Sequence, residues 1–65
     1  MPRYSYHFAV IIDRIEHATT RDGYSDSIDT PESEAVPIVN DLFRELKLKH
    51  PESTIGIKFL KRVEI

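Results

Sequence analysis

Residues 4–15 are twelve consecutive positions rich in aromatic and β-branched side chains, with no glycine or proline among them. Such a run predicts a strand, because those side chains pack well on a pleated, half-buried surface. Successive side chains on a strand point to opposite faces. Tyr4, Tyr6, Phe8, Val10 and Ile12 make one face uniformly apolar, while Ser5, His7, Ala9, Ile11, Asp13 and Ile15 give a mixed one. The apolar face needs a covering layer, and the rest of the chain must supply it.

The cover is an amphipathic helix. Ile38, Val39, Leu42, Phe43 and Leu46 recur at helical spacing, with Asn40, Asp41, Arg44, Glu45 and Lys47 on the other side. Its start has two solutions. Thr30 can cap it with Pro31 at the first helical position and Glu32 and Glu34 beside the positive end of the helix dipole. That choice leaves Pro37 inside the helix, where it removes a hydrogen bond and crowds the preceding turn. The alternatives are a cap at Ser33 or a bend at Pro37. His50-Pro51 predicts the stop, since the residue before a proline avoids the helical region.

Two further stretches complete the pattern. Asp22-Gly23 predicts a hairpin turn, as the three-residue loop Arg21-Asp22-Gly23 with Gly23 at a left-handed bulge position; this brings Tyr24 and Ile28 to the apolar face. Residues 54–65 alternate as a strand, with Ile55, Ile57, Phe59, Val63 and Ile65 on one side, interrupted by Lys61. Thr54, Gly56, Lys58, Leu60, Arg62 and Glu64 lie on the other. The order β-β-α-β, closed by a right-handed crossover, predicts a two-layer α+β domain over residues 1–65. Its three-stranded sheet has order 2-1-3, with the third strand parallel to the second and one helix on one face.

Sixty-five residues bury only about 60% of the unfolded chain's surface, so such a domain gains from a staple, a metal or a partner. Cysteine is absent, which removes disulfides and thiolate zinc sites. Within one extended segment His7 and His17 stand about 33 Å apart, and His50 falls at a helix end where a cation-capable side chain meets the last carbonyls. No cofactor or metal is expected. No motif of hydrolases, kinases, P-loops or dinucleotide folds occurs, so no enzyme and no small-molecule substrate is expected either. The N-terminal residues do not resemble a secretory signal and no apolar run reaches membrane-spanning length, which predicts a cytoplasmic protein that does not engage a membrane.

The net charge of −2 is unevenly spread. Residues 22–34 hold five acidic side chains and no basic one, whereas Arg44, Lys47, Lys49, Lys58, Lys61 and Arg62 crowd the C-terminal part. The acidic run reads as a solvated hairpin and helix start, although a mimic of nucleic-acid charge has the same pattern. The two signs together suit pairing with another protein, or with a second copy of the chain.

The predicted interaction surface is the sheet face opposite the helix, carrying Ile11, Ile15 and Leu60 edged by His7, Lys58 and Arg62. Scattered exposed aliphatics are the bland reading of the same residues. The third strand offers a second route as a sheet edge, unless Lys58, Lys61 and Arg62 guard it against pairing. The expected function is thus a non-catalytic protein-interaction module or small regulator acting through the open face or the edge strand, possibly as a homodimer. The alternative is nucleic-acid binding by the basic C-terminal strand.

The helix running through Lys49-His50-Pro51-Glu52 into an apolar strand, residues 41–57, faintly resembles the DinI-type small regulators of bacterial and phage DNA-damage responses. The resemblance covers a minor part of the chain, and no function is carried over from it. The small, acidic, catalytically bare composition also suits compact phage-like proteins that occlude a host protein, which is analogy of composition alone.

Overall fold

The computed structural model describes residues 2–25 and 30–65. Within them the elements are β1 (Arg3–Ile12), β2 (Ile15–Tyr24), α1 (Pro31–Lys49) and β3 (Ile55–Glu64). The sheet order is β2-β1-β3, and β1 is antiparallel to both neighbours, so β3 runs parallel to β2. One helix packs on this open sheet, giving the two-layer α+β arrangement that the periodicities predict.

The hairpin turn lies elsewhere than expected. It falls on Asp13-Arg14, both at positive φ (49° and 73°), while Asp22-Gly23 sits inside β2 with Gly23 in ordinary extended conformation. Two central residues at positive φ match a two-residue hairpin loop whose twist suits the flanking strands. A contact distant in sequence secures it. The Asp13 N–H donates to the Thr54 carbonyl at 3.0 Å, and the Thr54 N–H donates to Asp13 Oδ1 at 3.0 Å. The first strand therefore ends at Ile12, and Ile15 opens β2 opposite it. Tyr24 lies across from Arg3 and is exposed, not in the core; Ile28 lies outside the described residues.

The helix start follows the Thr30 solution. Thr30 is extended, its hydroxyl accepts the Ser33 N–H at 3.2 Å, and Pro31 takes the first helical position. Ser33 is not the cap. The helix continues through Pro37, and the carbonyl thereby deprived of a donor belongs to Ser33, whose exposure leaves it open to solvent. At the other end the His50 N–H closes the last turn on Leu46 at 2.8 Å, directly before Pro51.

Tyr4, Tyr6 and Phe8 of β1 meet Ala35 and Leu42 of α1 in the buried core, with Ile38, Val39, Ile57 and Phe59 packed around them. Phe59 lies 5.7 Å from the Phe8 ring and 6.5 Å from the Tyr6 ring. The predicted inward face of β1 is thus the buried one, with Ile12 only partly covered at the sheet end.

Alternation in β3 is broken by a bulge. Lys61 opposes His7 and Phe59 opposes Phe8, so Leu60 is an extra residue, and Leu60 and Lys61 together face His7. Everything after it changes side. Arg62 and Glu64 turn toward the helix opposite Tyr6 and Tyr4, whereas Val63 turns to the open face opposite Ser5. Val63 and Ile65 are accordingly exposed instead of joining the core.

Candidate functional site

The register assigns each candidate residue to a face. Ile11, His7, Lys58 and Leu60 lie on the open face as expected. Ile15 does not, because the turn at Asp13-Arg14 pairs it with Ile12 on the helix side, where it is exposed beyond the helix end. Arg62 does not either, because the bulge turns it inward. The expected strip is therefore interrupted: Ala9 and Lys58 separate Ile11 from Leu60 along the sheet. His7 and His17 also end on opposite faces, His17 lying across from Val10 after the earlier turn.

Arg62 is drawn into a cluster that joins α1 to both β1 and β3. Its Nη1 donates to Glu34 Oε1 at 2.9 Å, its guanidinium lies 4.2 Å from the Tyr4 ring centroid, and the Tyr6 hydroxyl donates to Glu34 Oε2 at 2.7 Å. The Ser25 side chain also bonds to Glu34. Hydrogen bonds from Ser25 and Tyr6, then the Arg62 charge, hold the Glu34 carboxyl below the usual range. Burial, and next the bond to Glu34, push the Tyr6 phenol up. With both carboxylate oxygens engaged, this cluster braces the start of α1 to β1 and β3. Sequence reasoning missed it, since the facing of Arg62 depends on the bulge; Lys61 interrupting an apolar series was its signal.

The two flanks of the helix differ sharply. Toward β2, Glu45 receives Arg21 Nη2 at 3.3 Å and Lys49 Nζ at 3.6 Å, above a hollow of about 250 Å³ that His17 and Thr19 also line. Toward β3, Lys47 donates to the Ser53 carbonyl at 2.8 Å, just ahead of the strand. That bond fixes which side of the helix borders β3. Phe43 lies one turn back on the same side, followed by Val39 and Val36 at helical spacing. Phe43 is 43% exposed and Val36 55%. Beneath them the helix-facing residues Ile55, Ile57 and Phe59 remain half-covered.

Among the described residues no strand lies beyond β3. Its backbone groups on that side are unpaired by any strand, and residues 55–59 precede the bulge as a regular segment with Lys58 its one charge. The bulge and the basic pair Lys61-Arg62 interrupt pairing only past that point. The site is this short regular edge with the apolar margin of Val36 and Phe43 above it.

No protein-family model, no curated protein and no solved structure matches the chain. Among the described residues no group of side chains has the composition to hold a metal ion, and no helix is long and apolar enough to cross a membrane.

Proposed function

We propose that the protein is an interaction module that binds an extended segment by strand addition along residues 55–59. The observation that carries this is the pairing of an edge that no described strand covers with a half-exposed apolar margin, in a molecule whose opposite edge strand is tied to the helix by the Arg21–Glu45 ion pair. Strand addition takes affinity from main-chain hydrogen bonds and specificity from alternate side chains. An added strand would place one row of side chains over Ile55, Ile57 and Phe59 beneath Phe43, and the other row beside Lys58. The favoured segment is apolar at alternate positions and small or acidic between them.

A short fluorescent peptide alternating valine with glutamate tests this against the same peptide N-methylated on its pairing edge. Saturable binding of the first, absent for the second and weakened by Phe43→Asp, is the expected result. Equal binding of both peptides, or binding of neither to protein dilute enough to be monomeric, overturns the reading. Nucleic-acid binding has less to draw on, because Arg62 is engaged by Glu34 and leaves Lys58 and Lys61 on the open face.

A further inference from the structure

The edge that receives a strand also resembles the strand it would receive. Resting on the strand-addition reading, we infer that the partner is a second copy of this chain, its residues 55–59 pairing antiparallel with the same residues about a two-fold axis at Ile57.

Face and charge select that register. Ile55, Ile57 and Phe59 all face the helix layer, so a two-fold pairing that keeps apolar rows together must centre on a residue of the segment. Centring on Lys58 sets two ammonium groups directly opposite each other and draws the Leu60 bulge into the ladder. Centring on Gly56 pairs only three residues. Centring on Ile57 pairs five, sets Ile57 against Ile57, Ile55 against Phe59 twice, and Lys58 against Gly56 twice. No like charges then face each other, and the apolar row runs unbroken across the axis. The axis stands perpendicular to the sheet, so both helices lie on one side and their Val36 and Phe43 margins approach each other.

Gly56 supplies a separate observation. Glycine weakens a strand, and inside one it often marks a tight bend or the close approach of another backbone or ligand. Within this chain neither its conformation nor its packing requires it: φ is not positive, and a methyl group there would meet Ile11 Cβ at an ordinary 3.8 Å. In the proposed pairing Gly56 lies across from the Lys58 stem of the second copy, which can settle over the bare backbone.

The lack of native cysteine makes the test direct. Opposed residues in an antiparallel pair stand about 4.5–5.5 Å apart at Cα, within disulfide range. Mixing Gly56→Cys and Lys58→Cys chains under mild oxidation is expected to give the mixed cross-linked dimer, with Lys58→Cys alone and the β2 control Thr20→Cys remaining uncrosslinked. Both cross-linking positions tolerate the change, Lys58 being exposed and Gly56 having room. Wild-type protein is expected to sediment as a concentration-dependent monomer–dimer mixture. A monomer at every concentration without the mixed cross-link overturns the proposal, as does a dimer that links through Lys58→Cys alone or Thr20→Cys. If the valine–glutamate peptide still binds such a monomer, the strand-addition reading stands and its partner is foreign; if the peptide also fails, both fall.

Discussion

β2 and β3 flank the same central strand at the same length, ten residues each, and yet they end as different kinds of edge. Phe8 makes the contrast concrete: across from it stands Thr19 on one side and Phe59 on the other. On the β2 side the helix is held by charged groups at its rim, and most of the strand is exposed. On the β3 side it is held by rings and aliphatics, with a half-buried ion pair at the lower end. The helix thus uses its apolar stripe asymmetrically. The edge that shares the core most closely also keeps a continuous half-covered apolar row, Ile55, Ile57 and Phe59, whereas the exposed Ile15 and Tyr24 of β2 stand apart at its two ends.

The largest expected effect breaks this contrast at Phe8. Phe59→Ala removes both ring contacts and should cost about 3 kcal/mol, at the low end for a large aromatic because the site is only half-covered. Thr19→Ala at the matching β2 position should stay within about 1 kcal/mol. Urea denaturation of the two variants compares them, and equal midpoints would show that β2 shares the core as fully as β3.

The ion pairs give the next contrast. Arg62 and Glu34 side chains keep 15% and 13% of their exposure, against 41% and 48% for Arg21 and Glu45. Arg21→Met should cost no more than the roughly 0.2–1 kcal/mol of a solvent-screened pair, and Arg62→Met distinctly more, since it leaves Glu34 with less compensation in a partly dry site.

Acid titration sharpens the same difference. Glu34 titrates below its ordinary 4.5 in the folded chain, so its contribution is present above pH 4.5 and is lost as pH falls through the lowered folded value. Asp13 behaves alike below 3.8, its carboxyl held down first by the Ser53 side chain and then by the Thr54 N–H. Tyr6→Phe deletes one donor to Glu34, should cost about 1 kcal/mol near neutral pH, and should flatten the acid loss below 4.5. Arg21→Met should leave that slope as in the wild type. At high pH the sign reverses for Tyr6, whose raised phenol favours the fold below pH 10 and loses that contribution as pH climbs through the folded value. Stability curves against pH for the three proteins read both arms.

What the residues disclose by themselves is the layer pattern. The uniform face of β1, the stripe of α1 and the cap at Thr30 are local periodicities and local hydrogen bonds, and those survive folding unchanged. The turn and the bulge are not local. Asp22-Gly23 is the stronger turn signal by composition, but Asp13 is tied at both backbone N–H and carboxylate to Thr54, forty-one positions along the chain. Each misplacement then moved side chains in bulk, because a strand's facing has period two. One shift sent Ile15 to the helix side, and the other sent Arg62 inward and Val63 outward. The open face lost two of its six expected members for that reason, whereas the edge itself, which depends only on strand order, was legible.

The smallest expected effect sets one glycine of each edge strand against the other. Both are extended, so neither is required by backbone conformation, and alanine should gain roughly 0.5–1 kcal/mol at either by lowering the entropy lost on folding. Their surroundings divide them. A methyl at Gly56 meets only Ile11 Cβ at 3.8 Å, so Gly56→Ala should realise the gain when measured in dilute protein. A methyl at Gly23 falls 3.3 Å from Tyr6 Cε2, and that ring cannot simply move aside, because its hydroxyl is held by Glu34 at 2.7 Å and its other neighbour is Phe59. Gly23→Ala should therefore be neutral or destabilising. Adding Tyr6→Phe should make it less costly, since the ring is then released from its anchor. If the two alanine variants are equally stabilising, Tyr6 is not pinned, and the brace between α1 and the sheet is looser than its hydrogen bonds imply.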